Sequence, residues 1–307
     1  MILTVSLSPC IDVNIEVDSL SVGMSHKIIS KRIFFTGKSI NVSIGLARLG
    51  AQAFVTGFMY EDNGRLFEQE LHREGINYKF VWSQGRVREN YKFVDHKSML
   101  TEFDDVSPEI TLQKQDDLIN LITEFSPKCE AVFVAGGLAK GMTADFYKRI
   151  LRAVPDNVVK IVDSEGDRLR YALECGVNLV KPNVEELQRT LGIRIKNRAM
   201  ALDGAKQLVA MGAKNVLLSL GKEGAIITDG TKSYYCKSNN VAMNSTVGAG
   251  DAMVAAAMTA LVRGADNAEV LKCGVAAGTA AVITPDTISF KKEKYDEIFS
   301  CLSVKEI

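Results

Sequence analysis

The chain has 307 residues, 47% of them hydrophobic, and its 37 Lys plus Arg are matched by 37 Asp plus Glu. That length buries a large core as one big α/β domain or two smaller ones. The charge balance gives no electrostatic footprint for nucleic acid or an anionic membrane, leaving only local basic clusters able to grip a small phosphate. The six cysteines, at positions 10, 129, 175, 236, 273 and 301, include no CxxC pair. Scattered thiols argue against a disulfide or zinc framework and for a reducing, cytoplasmic setting. The start, "MILTVSLSPCIDVNIEV", has no basic leader, and no run of about 18 apolar residues follows anywhere, so neither export nor membrane spanning is expected.

In chain order, short apolar runs at Ile2 to Leu7, Ala53 to Phe58, Ala131 to Val134, Val158 to Val162, Asn178 to Val180 and Val216 to Leu220 read as strands. Helical patterns lie between and after them, at Asn63 to Arg73, Leu112 to Glu124, Ala144 to Ala153, Val184 to Leu191 and Ala199 to Met211. The alternation predicts βαβ units and a mainly parallel sheet covered on both faces. Residues 12–35 and 87–103 break the rhythm: they alternate polar and apolar with no helix between, as a small accessory sheet and lid over a cleft would. With no linker or repeat, the whole of 1–307 reads as a single domain carrying that excursion.

Gly37-Lys38-Ser39 ends like a phosphate-cradling Walker loop, but the glycine needed five residues before Gly37 is Arg32, so that motif fails. Ile40, Ile44 and Ala47 then recur at helical spacing, so a glycine turn opens a helix there. A stronger signal is "NSTVGAGDAMVAAAMTALVRG", where Gly248, Ala249 and Gly250 leave the backbone bare at the start of a long Ala-rich helix. Asp251 in that first turn has two readings: a helix-capping carboxylate, or a base that takes a proton from an attacking hydroxyl beside an anion hole of N–H groups.

"TVGAGD" resembles the signature of the ribokinase-like sugar kinases, in particular their PfkB branch. "TGKSINVSIGLARLG", "VKPNVEEL", "LLSLGKEGA", "LSPCID", "GRVRENYKF" and "VAAGTAAV" agree with it in order, from Leu7 to Val282. The resemblance implies a three-layer α/β fold with a mainly parallel central sheet flanked by helices and a small β-sheet lid. It implies that ATP and a sugar share one cleft, with Mg2+ present and a monovalent cation as an option. By the same resemblance Asp251 is the general base and Gly248, Ala249 and Gly250 form the anion hole. Asp12 holds sugar hydroxyls, with a plain turn carboxylate as its bland alternative. Lys27, Gly37, Lys38, Asn41, Arg88 and Asn90 face the acceptor, and Lys181, Asn183, Ser219, Gly221, Gly224 and Gly278 the nucleotide. Glu186 reaches the metal through water, although Asn183 and Glu186 also read as an ordinary helix entry.

Charge narrows the acceptor. Lys27, Lys38, Arg88 and Lys92 fall in segments expected around it, and a buried dianion requires such cations where a neutral sugar does not. Lys92 alone reads equally as an edge guard on a strand. Within the branch the chain is most similar to 1-phosphofructokinases and tagatose-6-phosphate kinases, which implies phosphorylation of a ketohexose phosphate such as fructose 1-phosphate or tagatose 6-phosphate, and a homodimer through the lid. Departures from the branch pattern are Ser8 for asparagine, Thr36 and Ser39 for glycine, and Gly137 and Ala139 for the Ser and Pro of "GSLP". Side chains at 36 and 39 are expected to cost strain or narrow the site, and an altered sugar preference follows. Rival readings are another sugar or nucleoside kinase of the superfamily and a non-catalytic sugar-phosphate sensor. A dinucleotide oxidoreductase is a further alternative, against which Ser8-Pro9-Cys10 stands where its glycine motif belongs.

Overall fold

The computed structural model describes residues 1–239, 248–284 and 289–307. The chain begins β1 (Ile2–Ser6), β2 (Cys10–Val17), β3 (Ile28–Thr36), α1 (Lys38–Arg48), β4 (Ala53–Tyr60), α2 (Arg65–Arg73) and β5 (Asn77–Ser83). It continues β6 (Arg88–Val94), β7 (Leu100–Phe103), α3 (Leu112–Phe125), β8 (Ala131–Ala135), α4 (Phe146–Arg152), β9 (Val159–Asp163) and α5 (Gly166–Leu173). After β10 (Val177–Val180), α6 (Val184–Leu191), α7 (Arg198–Ala210), β11 (Ala213–Ser219), β12 (Ala225–Thr228) and β13 (Ser233–Cys236) come α8 (Ala249–Val262), α9 (Asn267–Val282), α10 (Lys292–Cys301) and β14 (Val304–Glu306).

Ten strands form the main sheet in the order β14-β13-β12-β11-β10-β9-β8-β1-β4-β5. The seven from β11 to β5 run parallel, and β12, β13 and β14 close the edge antiparallel. β1 and β8 are buried along their whole length, as strands covered on both faces must be, and their sequences ILTVS and AVFVA have the near-continuous apolar character that burial demands. This is the α/β fold with a mainly parallel sheet that the alternation predicts.

The second sheet has the order β3-β2-β6-β7 and is the expected excursion, with β2 beside β6 in parallel and β3 and β7 antiparallel outside them. In register, Cys10, Asp12 and Asn14 stand beside Arg88, Asn90 and Lys92. The two-residue period therefore puts all six on one face. The opposite face carries Val13, Ile33, Tyr91 and Phe103, of which Ile33 is 49% and Phe103 58% exposed.

Elements the periodicity misses are β5, α5, β12 to β14, and the outlines of α9 and α10. α9 is buried on nearly every side, and its run of small residues, NAEVLKCGVAAGTAAV, has little two-faced pattern to read. The small residues serve close packing: a Cβ on Gly278 would lie 3.3 Å from the Ala249 carbonyl oxygen. α8 and α9 thereby approach backbone to backbone.

Candidate active site

The parallel strands end together, and ligands of such sheets bind beyond their carboxyl ends. β9 ends at Asp163 and β10 runs directly into Lys181, while Val180 pairs with Val162, so the residues one step further on meet across the strand ends. Lys181 Nζ lies 3.3 Å from Asp163 Oδ2, with both side chains almost fully buried. Lys38, the first residue of α1, comes from the other side, its Nζ 3.0 Å from Asp163 Oδ1 and 3.3 Å from Glu186 Oε1. Burial alone would push the Asp163 carboxyl up, but Lys181 and Lys38 outweigh it and hold the group below its ordinary range. Burial likewise pulls Lys38 down, and the carboxylates of Asp163, Glu186 and Asp251 more than reverse that.

Asp251 is set by helix packing. α1 and α8 come so close that a Cβ on Gly45 would stand 3.0 Å from the Ala255 Cβ. One turn back on each helix are Asn41 and Asp251, four residues earlier and hence on the same faces. There Asn41 Nδ2 donates to Asp251 Oδ2 at 2.7 Å. Gly248, with φ of 80°, caps α8 in the left-handed region, and Asp251 lies in the first turn of the helix. Its hydrogen bond with Asn41 turns it toward α1. Burial pushes it up to about 6, against the pull of Lys38 and the Asn41 hydrogen bond, with Asp163 adding to the rise. Residues 244–247 of the glycine motif lie outside the described residues.

Beside this pit opens a cavity of about 550 Å³. Lys181, Asn183, Ser219, Gly221, Gly224, Ala249, Gly250 and Gly278 line it, with Met253, Val275 and Val282 as an apolar wall. Every residue assigned to the nucleotide on resemblance is on this list. One glycine is required by the geometry: a Cβ on Gly224 would fall 2.0 Å from the Cys236 carbonyl oxygen, whereas one on Gly250 would make only ordinary contact with Lys181 Nζ at 3.4 Å. Asn183 and Glu186 form a reciprocal capping box on α6, at 2.9 Å from the Glu186 N–H to Asn183 Oδ1 and 2.8 Å from the Asn183 N–H to Glu186 Oε2. The bland reading of the pair is thus true, and incomplete, because Glu186 Oε1 still faces Lys38 into the cleft.

On the lid side, Asp12 Oδ2 accepts from Lys92 Nζ at 2.8 Å, and Asp12 Oδ1 lies 3.4 Å from the Cys10 thiol. Burial, with Asp12 adding to it against Arg88, pushes that thiol up to about 12, which keeps it a donor. Arg88 donates from Nη1 to Asn90 Oδ1 at 3.0 Å and from Nε to Ser8 Oγ at 3.2 Å. Among the described residues it makes no ion pair. Asn14 Oδ1, on the same lid face, is buried without a hydrogen-bond partner among the described residues and is a polar group the sequence reading misses.

Lys38 and Asn41, expected at the acceptor, contact the carboxylates of the pit. Two other expectations change. Lys27 precedes β3 at the end where Ile28 pairs with Val17, seven residues along β2 from the Cys10 level at which Arg88 sits. At about 3.3 Å per residue that separation is roughly 23 Å, so one chain does not bring exposed Lys27 to Arg88. The strain expected at positions 36 and 39 is absent, because among the described residues Ser98 alone, apart from glycines, has positive φ. The Thr36 and Ser39 hydroxyls are spent on the Cys10 and Val5 carbonyls, at 3.2 Å and 2.6 Å. Gly37 is where left-handed backbone occurs, with φ of 130°. Asp163 is the residue missed outright; an acid closing an apolar strand run beside another run that closes in Lys181 was its signal.

A family model described as pfkB family carbohydrate kinase matches residues 1–294. A tagatose-6-phosphate kinase of Staphylococcus epidermidis is 27% identical over 311 residues, covering all of both chains. A 1-phosphofructokinase of Borreliella burgdorferi is 28% identical over 298 residues, covering 96% of this chain and 95% of the other. The solved structure of phosphofructokinase-2 from Escherichia coli in complex with potassium aligns with a TM-score of 0.90 at 26% identity, covering 98% of each chain.

Proposed function

Because the chain belongs to the pfkB family of carbohydrate kinases, an ATP-dependent class of enzyme, we propose that it moves the γ-phosphoryl group of ATP to a hydroxyl of a phosphorylated ketohexose, fructose 1-phosphate or tagatose 6-phosphate, giving a bisphosphate. One observation carries the choice of a phosphorylated acceptor: Arg88, half-buried at the lid root and on the same face as Asp12, has no carboxylate partner among the described residues. A charge left unpaired there suits a dianion, which forms short, strong bonds to guanidinium. The names of the relatives support the same acceptor class.

In this reading ATP fills the 550 Å³ cavity. Asp251 accepts the proton of the attacking hydroxyl while first-turn N–H groups of α8 face the phosphoryl group in flight, where positioning and charge neutralisation supply most of the rate. Asn41 aims the carboxylate and Lys38 limits how far burial raises it. Asp12 and Asn90 orient the sugar hydroxyls. Mg2+ fits the donor set only as an ion that rides on ATP: among the described residues no three His, Cys, Asp or Glu side chains cluster to hold a metal, and Glu186 would meet it through water, as Mg2+ commonly allows. Bound there, the ion neutralises phosphate charge. We extend the proposal to one catalytic unit with its lid, a lid-to-lid homodimer through the apolar face bearing Ile33 and Phe103, and activation by a monovalent cation. The test is coupled ATP consumption with fructose 1-phosphate, fructose 6-phosphate and tagatose 6-phosphate side by side, in potassium and in sodium buffers. Turnover with none of the three would overturn the acceptor assignment.

A further inference from the structure

Three segments remote in sequence converge on the Arg88 guanidinium. Ser8 follows β1 directly, Arg88 opens β6, and Ser107 lies between β7 and α3. Arg88 Nε donates to Ser8 Oγ at 3.2 Å, and Ser8 Oγ lies 2.8 Å from the Oγ of buried Ser107. The Ser107 segment is pinned at two further points: the Asp105 N–H donates to Asn90 Oδ1 at 3.2 Å and the Tyr60 hydroxyl to the Pro108 carbonyl at 3.4 Å. Of the five guanidinium N–H groups, one is spent on Ser8 and one on Asn90, leaving three to point elsewhere.

The chemistry of the partners matters more than their number. A carboxylate at position 8 or 107 would also fix the guanidinium, but it would cancel the charge that an anionic ligand needs. Hydroxyls fix direction and leave the charge intact. Whichever serine donates within the pair, the proton of the other has no acceptor among the described residues.

Resting on the sugar-phosphate reading, we propose that Ser8 and Ser107 are positioning residues: their paired hydroxyls aim the Arg88 guanidinium at the phosphate already carried by the acceptor. The experiment is steady-state kinetics of Ser8→Ala, Ser8→Thr, Ser8→Asp, Ser107→Ala, Arg88→Ala and the double Ser8→Ala/Arg88→Ala. Ser8→Ala should raise the Michaelis constant for the sugar phosphate about 10-fold, the size of one lost hydrogen bond to a charged group. It should leave kcat and the Michaelis constant for ATP within about 2-fold, a split that general loosening of the fold would not give. Ser8→Thr, which keeps the hydroxyl, should restore the wild-type value. Ser8→Asp should be worse than Ser8→Ala. In the Arg88→Ala background Ser8→Ala should add nothing. A raised constant in Arg88→Ala beside an unchanged one in Ser8→Ala, or a Ser8→Ala effect that persists in full without Arg88, overturns this inference alone. An unchanged constant in Arg88→Ala overturns the sugar-phosphate reading beneath it.

Discussion

The pit at the strand ends and the root of the lid both gather basic side chains, and they treat charge in opposite ways. In the pit, Lys38 and Lys181 are each held by carboxylates, with Asp163 shared between them. At the lid root Lys92 is similarly taken by Asp12, whereas Arg88 is fixed only by neutral groups. Counting cations along the sequence treats all four alike. The difference teaches that what a lysine or arginine offers a ligand depends on whether a carboxylate has already been satisfied by it.

The largest expected effect breaks the pit. Asp251→Asn should lower kcat by between about 100-fold and about 10,000-fold, the range for losing a general base, with ATP binding retained in a direct titration. The same variant sharpens the electrostatics. A carboxyl whose folded value is about 6 stands above its unfolded value near 3.9, so ionisation costs folding stability progressively as pH rises between them, and fully above pH 6. Asp251→Asn should therefore raise the thermal midpoint at pH 8 and leave it unchanged below about pH 4, where both states are neutral.

The next effect breaks the lid root. Arg88→Ala should raise the Michaelis constant for the sugar phosphate about 10- to 100-fold, as expected for charge-assisted bonds to phosphate, and barely change that for ATP. Equal changes for both substrates would remove the contrast between the two regions. A subtler measurement addresses how the pit cations act. The acid limb of kcat/KM should fall near pH 6 for wild type, and Lys38→Gln should move it to higher pH, because the positive charge that most lowers Asp251 is gone. A limb that stays in place would mean that Lys38 does not tune the base. The smallest effect concerns assembly: Ile33→Asp should shift sedimentation from dimer to monomer with modest loss of turnover at saturating substrate.

Much of the fold was legible because parallel strands covered on both faces read as apolar runs, and the lid because its strands alternate without helices. The outer antiparallel strands were not, since β12, β13 and β14 are only three or four residues long, too short for a two-residue alternation to stand out. Within the site, the glycine turn and Asp251 were visible because a helix start leaves a local pattern. Asp163 was easily passed over for the converse reason: beyond its place at a strand end, its partners lie 125 residues before it and 18 after it, at Lys38 and Lys181, and the strand order brings them together. The same holds for the carboxylate partners of Lys38. Its position at the head of α1 was evident, but the carboxylates that claim it arrive from β9 and α6.

The neighbouring registry of β2 and β6 has a final consequence. Asp12 and Asn90 stand side by side, with Arg88 two residues back on the same strand as Asn90, a step of about 6.6 Å at strand rise. If Asp12 and Asn90 hold the sugar hydroxyls and Arg88 the anionic end, as proposed, the shared sheet fixes the span between the two grips. An acceptor lengthened or shortened by one carbon would then engage one end at the expense of the other.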